Sequence, residues 1–187
     1  MPVEALTYRN LITLEDGARV LLRLLTSEDR QRLIDMFAPV SASDSKYLRD
    51  PVTDSKTVGQ WVDQLDYTRV VPLVAVVQDR LVGDATLHFR AGPRRHAGEV
   101  RIFLAKDFRR RGLGAHMLRA IVDLARKSGL QLLTAEVVAD QTKVIKAFQS
   151  IGFQTQCTFE DAFMFPDGET MDVTHLTLRL MPKKEDF

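Results

Sequence analysis

The stretch "FLAKDFRRRGLGAHMLRA", residues 103–120, decides how the chain is read, because three consecutive arginines run into two glycines and then into a helical pattern. Leu113, Met117, Ile121 and Leu124 share one helical face, and Gly129 stands where a helix C-cap belongs. The run just before, "GEVRIFLA", reads as a strand. A strand, a short loop and a helix beginning near Gly112 to Gly114 leave the first N–H groups of that helix without intrahelical partners. Gly112 and Gly114 let the backbone bend and approach a ligand with no Cβ in the way, and the helix dipole adds partial positive charge there. Such a terminus cradles phosphate, with Arg109, Arg110 and Arg111 as charge-assisted donors to further oxygens. Spacing alone leaves a second reading open, a solvated surface turn. Neither Gly-Lys-Ser/Thr nor Gly-x-Gly-x-x-Gly is present, so the stretch is neither a P-loop nor a dinucleotide fingerprint.

Working outward, "LITLEDGARVLLRLL" reads as a hairpin around Asp16-Gly17, and "TSEDRQRLIDMFAPV" as a helix capped by Thr26 or Ser27 and stopped by Pro39. The polar stretch "SASDSKYLRDPVTDS" is a loop or short helix, followed by a helix with Val58, Trp61, Val62 and Leu65 on one stripe. "VPLVAVVQ", "RLVGDATLHFR" and "GEVRIFLA" are three consecutive antiparallel strands, the first two joined by a turn at Asp79-Arg80. After the arginine–glycine unit come a strand "LQLLTAEVV", a helix "DQTKVIKAFQSIG" capped by Asp140, and a closing hairpin around Asp167-Gly168. The order β β α α β β β α β α β β, without a linker or repeat, describes one α+β domain over 1–187 with a mixed sheet.

The 187 residues are 45% hydrophobic and 27% charged with a formal net charge of +1, which is no polycation. Bulk binding to nucleic acid or an anionic membrane is not expected. Cys157 is the single cysteine, so neither a disulfide framework nor a cysteine zinc cluster exists. The start, "MPVEALTYRN", has no basic-then-apolar leader and no apolar run reaches spanning length, so the expected location is cytoplasmic.

Arg109-x-x-Gly112-x-Gly114, after a strand and opening a helix, resembles the acetyl-CoA signature of the GCN5-related N-acetyltransferases (GNAT), Q/R-x-x-G-x-G/A. "KAFQSIGF" is similar to the family's second landmark, a helix ending in Gly-Phe, and "FPDGETMDVTHLTLRL" to its closing hairpin, so the resemblance covers nearly the whole chain. It implies the GNAT fold, a central mixed, mostly antiparallel sheet of about seven strands flanked by four helices. More narrowly, "DGARVLLRLLTSED", "SKYLR" and "GEVRIFLAKDFRRRGLG" resemble the acetyltransferase domains of bacterial protein-lysine acetyltransferases. Those larger proteins often carry a second, ligand-binding part for which this chain has no room.

The resemblance implies acetyl-CoA as co-substrate, without metal. Its pyrophosphate would sit on Arg109, Arg110, Arg111, Gly112, Leu113, Gly114 and Ala115, and its pantetheine arm on backbone groups of Ile102, Phe103 and Leu104. A backbone N–H near Leu104 would polarise the acetyl carbonyl. Acyl transfer to an amine needs a proton acceptor, since a lysine ammonium has a pKa of about 10.4. Glu99 matches the position of the catalytic glutamate in related protein acetyltransferases and is the candidate general base, with Glu136 in reserve. On its residues alone, Glu99 could equally be a strand carboxylate paired with Arg101 or a loop arginine. Phe148 replaces the tyrosine that protonates the departing thiolate in many members, and Gln141 replaces the usual asparagine. Phe148 would instead pack on the pantetheine arm and Gln141 hydrogen-bond CoA, while a thiol of pKa about 8.5 leaves adequately without help.

His88, His96, His116 and His175 lack metal-ligand spacing, Cys157 reads as packed in a strand, and "FEDAFMF" reads as core. The expected activity is acetyl transfer from acetyl-CoA to a primary amine by direct attack, a protein lysine ahead of a small amine. A catalytically silent acetyl-CoA sensor is the second reading, motivated by Phe148, and a nucleic-acid contact through Arg109 to Arg111 the third. The acceptor, any regulatory partner and the oligomeric state, a homodimer included, are not legible at this level.

Overall fold

The computed structural model describes residues 7–181 except 46, 49 and 166, so Lys46 and Arg49 of the "SKYLR" match lie outside the described residues, as do both ends of the 1–187 domain. Along the chain run β1 (Arg9–Thr13), β2 (Arg19–Leu24), α1 (Arg30–Phe37), a single helical turn α2 (Ala42–Ser45), α3 (Ser55–Asp63), β3 (Val70–Val77) and β4 (Arg80–Phe89). They continue with β5 (Ala97–Leu104), α4 (Leu113–Lys127), β6 (Leu132–Val138), α5 (Thr142–Ser150), β7 (Gln154–Met164) and β8 (Thr170–Arg179). The strands form one eight-stranded sheet ordered β1-β2-β3-β4-β5-β6-β8-β7. Only β5 and β6 are parallel neighbours, and α4 makes the crossover that such a pair requires.

Local chemistry sets the element ends. Thr26 donates its N–H (2.9 Å) and hydroxyl (3.1 Å) to Asp29 Oδ2, which builds a 3₁₀ turn over Ser27–Asp29 and delays α1 to Arg30. The β3–β4 turn lies one residue earlier than the sequence implies: Gln78 (φ +46°) and Asp79 (φ +71°) form a two-residue left-handed turn, and Val77 pairs with Arg80. Gly129 (φ +76°) ends α4, with the Leu130 N–H returning to the Ala125 carbonyl at 3.1 Å. Asp140 does not cap α5. Gln141 occupies the N-cap position, and the Asp140 carboxylate accepts from the Tyr47 hydroxyl at 3.1 Å.

The sheet is covered on both faces. Leu33 and Phe37 of α1 and Val58 and Val62 of α3 pack on Val74 and Leu81, while Met117, Ile121 and Leu124 of α4 belong to a second core with Leu73, Ala85 and Val100. Each such buried side chain stabilises the fold by about 1.5–3 kcal/mol. β7 departs from expectation, because it is the terminal strand of the sheet and almost wholly exposed. Phe159 and Met164 are 52% and 73% exposed and Cys157 is exposed, so the core reading of "FEDAFMF" holds only for Phe165. Apolar alternation reports strand character but not whether anything covers the second face.

Two irregularities shape the interior of the sheet. In β4 the register shifts opposite Ala75 and Val76, so that Val82 is an extra residue between the Leu81–Val76 and Gly83–Ala75 pairs. Strict alternation from Leu81 would send Asp84 to the α4 face. The bulge turns it to the α1/α3 face with its cross-strand neighbour Val74. The second irregularity is between β5 and β6, which pair only from Ala97–Leu132 to Glu99–Thr134 and then separate.

Candidate active site

Beyond Glu99, β5 keeps β4 on one side and has no strand on the other. In an antiparallel pair alternate residues direct both backbone groups at the partner. The Ala105 N–H meets the Val82 carbonyl (3.0 Å) and the Arg90 N–H meets the Ala97 carbonyl (3.1 Å), so Glu99, Arg101 and Phe103 are the β5 residues facing β4. Val100, Ile102 and Leu104 therefore turn their backbone groups to the open side. Of the three residues expected to offer backbone groups, Ile102 and Leu104 are placed for it, whereas those of Phe103 are directed at Asp84.

The open edge leads into the start of α4. Gly112 holds the N-cap position at φ +81° with no side-chain cap, a conformation that strains other residues. Gly114 lies so close to β5 that an added Cβ would come within 3.3 Å of Leu104 Cδ1. Leu113 is buried beneath, and Gly114 and Ala115 are half-buried. The three arginines differ in their surroundings. Arg109 donates Nε to the Leu104 carbonyl (3.0 Å) and stands 3.8 Å from Asp44. Arg110 is exposed at φ +61°. Arg111 pairs with Asp16 of the β1–β2 turn (2.5 Å) and stacks on Phe108, 4.3 Å from the ring centre. Gln141 is half-buried at the start of α5, and Phe148 is 2% exposed, edge-on to Phe153 at 5.0 Å. A ring so enclosed offers a ligand almost no surface in this conformation.

On the opposite face of the sheet, α1, α3 and strands β3 to β5 enclose a cavity of about 350 Å³. Its aromatic wall is Phe37, Trp61 and Phe103, with Phe37 5.8 Å from Trp61 and 4.7 Å from Phe103 between ring centres. Ile102 also lines it, so the cavity reaches the open edge of β5. No pocket is legible here in the sequence, because its walls come from segments far apart in the chain.

Asp84 lines the cavity, is 9% exposed, and its Oδ1 has no hydrogen-bond partner among the described residues. Burial pushes its carboxyl up to about 7. Glu99 has a different setting. It is 1% exposed, Oε2 accepts from Arg90, Oε1 accepts from Arg101 Nε at 2.9 Å, and it is not among the residues lining the cavity. Arg101 extends the network toward Asp50 at 3.4 Å. Glu136 lies on β6 beside His175, 3.7 Å away, and does not line the cavity either. Among the described residues no group of three or more His, Cys, Asp or Glu side chains could hold a metal ion, and no helix is long and apolar enough to cross a membrane.

A split strand pair opening onto an uncapped, glycine-started helix can be compared with known proteins. The family model described as "Acetyltransferase (GNAT) family" matches residues 40–153. The chain belongs to the GNAT acetyltransferase family. An acetyltransferase of Pseudomonas aeruginosa is 28% identical over 176 residues, spanning 89% of this chain and 88% of that one. The GNAT domain of S. lividans PAT shares the fold with a TM-score of 0.76 at 22% identity, covering 96% of this chain and 99% of that one. The structure of yncA from Salmonella typhimurium with its cofactor acetyl-CoA also gives 0.76, at 18% identity over 89% and 96% of the two chains. As a GNAT member the protein is an acetyl-CoA-dependent N-acetyltransferase. Its own geometry fits that co-substrate: the strand edge unpaired by β6 at Ile102 and Leu104, where Arg109 Nε already takes the Leu104 carbonyl, suits an amide-bearing arm, and the uncapped α4 terminus suits phosphate.

Proposed function

We propose that this GNAT enzyme acetylates a primary amine carried on an alkyl stem, a protein lysine side chain foremost and a small alkylamine second. The observation that carries the reading is the cavity on the α1/α3 face, which has aromatic walls and meets the open edge of β5 at Ile102. Pantetheine pairs with Ile102 and Leu104, and the diphosphate rests on the N–H groups of Leu113, Gly114 and Ala115 with Arg109 and Arg110 alongside. An amine entering the cavity meets the thioester from the other side of the sheet. The neutral nitrogen attacks the carbonyl directly, helped by a backbone N–H near Leu104, and the thiolate leaves.

In this proposal Glu99 orients Arg101 rather than taking the proton. Arg90 and Arg101 each donate to one of its oxygens, so its carboxylate is engaged in holding them. Phe148 supports α5 through Phe153, and departure of the thiolate needs no phenol there. Gln141 remains a CoA contact in this scheme.

The test is calorimetric titration with acetyl-CoA of the wild type and an Arg109→Ala, Gly112→Ala double variant, followed by an acceptor screen of lysine peptides and small amines. Saturable binding that the double variant weakens at least tenfold, with acetyl transfer to lysine peptides, is expected. Binding without transfer to any amine would favour the silent sensor. Absence of binding by the wild type would overturn the reading.

A further inference from the structure

The least explained group in the interior is Asp84. Buried polar atoms are almost always hydrogen-bonded, and one that is not asks for a ligand or a function. Asp84 Oδ1 has no partner among the described residues although the residue is 9% exposed, and the carboxyl lines the cavity rather than lying in packed core. Its orientation follows from the β4 bulge at Val82, a device that re-aims side chains beside active sites. Its cross-strand neighbour is Phe103 of the aromatic wall, one residue from Ile102 at the open edge.

Among the described residues, the other charged and titratable groups that line the cavity have partners of their own. Asp50 lies 3.4 Å from Arg101, whose Nε is on Glu99. Asp66 accepts from the Thr68 N–H (2.9 Å) and hydroxyl (2.6 Å), and Arg69 stands near enough to add to holding its carboxyl below the usual range. His88 Nε2 is 2.9 Å from Thr86 Oγ1. With Asp50 against Arg101 and Asp66 near Arg69, ionisation of Asp84 adds one negative charge to the cavity. A negative floor under Phe37, Trp61 and Phe103 suits an alkylammonium, whose stem the rings cover and whose charge their faces attract.

We propose that Asp84 is the acceptor-side catalytic residue: its carboxylate receives the ammonium of the alkylamine at the cavity floor and takes a proton from it, directly or through one water. This rests on the amine-acetylation reading above. The first proton moves from nitrogen to Asp84, the freed lone pair forms the N–C bond to the thioester carbonyl, the C–S bond breaks with its electron pair on sulfur, the departing thiolate takes up the second proton from the attached nitrogen, and Asp84 passes its proton to solvent. The aromatic walls assist by desolvating the ammonium, which lowers its pKa toward that of the base. A carboxyl pushed up to about 7 by burial divides between the two needed forms near neutrality.

The experiment compares wild type with Asp84→Asn using acetyl-CoA and n-butylamine as the probe, from pH 6 to 9. Acetyl-CoA titration comes first: equal affinity in both proteins is expected, and no binding by the wild type would overturn the functional reading independently of Asp84. Thermal melts at pH 8 come second. n-Butylammonium is expected to raise the wild-type midpoint and not that of Asp84→Asn; no rise in the wild type, or an equal rise in both, overturns Asp84 as the ammonium site even where acetyl-CoA binds. Initial rates come third. kcat/KM is expected to fall at least 100-fold in Asp84→Asn. An ascending limb near pH 7 should be present in the wild type and absent in the variant. An undiminished rate, or a limb that survives the substitution, overturns the proposal.

Discussion

Asp29 and Asp84 are both buried carboxylates, and the fold treats them in opposite ways. Asp29, at the junction of β2 and α1, is fully enclosed, accepts from Arg23 at 2.6 and 2.7 Å, from Arg32 at 3.3 Å and from the Thr26 N–H at 2.9 Å. Burial alone would raise its pKa, but the Arg23 and Thr26 hydrogen bonds outweigh burial and hold it at about 2. Asp84 has burial and, among the described residues, no donor on Oδ1, and its carboxyl rises to about 7. Glu99 belongs with Asp29, since arginines hold both its oxygens. The difference separates groups that hold the structure from one left for chemistry: a carboxylate surrounded by donors fastens elements together, and one facing a cavity is available to a substrate.

That contrast can be broken in steps of decreasing size. Asp29→Ala leaves Arg23, 18% exposed, without its partner, and is expected to cost about 3–5 kcal/mol in urea unfolding at pH 7. In the wild type the part of this contribution that depends on the Asp29 charge, about 2.5 kcal/mol, is present above the unfolded carboxylate pKa of about 3.9 and is lost as pH falls toward 2. Asp84 has the opposite sign. Its folded pKa lies above the unfolded one, so stability declines as pH rises from about 4 to 7 and is level above that. Asp84→Asn is therefore expected to stabilise the protein by roughly 2 kcal/mol at pH 8, the ionisation cost removed less that of an unpaired amide, and not at all at pH 4. Melting curves at the two pH values check this. Glu99→Gln is expected to cost about 1–2 kcal/mol, since Arg90 and Arg101 are 39% and 34% exposed and can turn to water. It should leave the ascending limb near pH 7 in place, whereas loss of that limb would return the role of base to Glu99.

The elements themselves were largely legible. The arginine–glycine unit, all eight strands and the four longer helices follow from periodicity and turn residues, because these are local properties of the chain. The family was legible for the same reason, through Arg109, Gly112 and Gly114. The acceptor side was not. Asp84 sits in "RLVGDATLHFR", where strict alternation points it at α4, and the bulge at Val82 that reverses it is visible only in the pairing with β3. For Glu99 the alternative legible in the sequence, a carboxylate paired with Arg101 or a loop arginine, matches the contacts it makes with Arg101 and Arg90, whereas its near-complete burial was not legible. The exposure of Phe159, Met164 and Cys157 was hidden likewise, because edge position is a property of sheet order.

The most direct measurement is the titration of Asp84 itself, by carboxyl carbon NMR from pH 4 to 9 with the resonance assigned by its loss in Asp84→Asn. A midpoint near 7 is expected and would show a carboxyl held without donors in the cavity floor. A midpoint below about 4, the ordinary carboxylate range, would contradict the account, because Asp84 would then have partners of the kind Asp29 has and no claim to the proton of the amine.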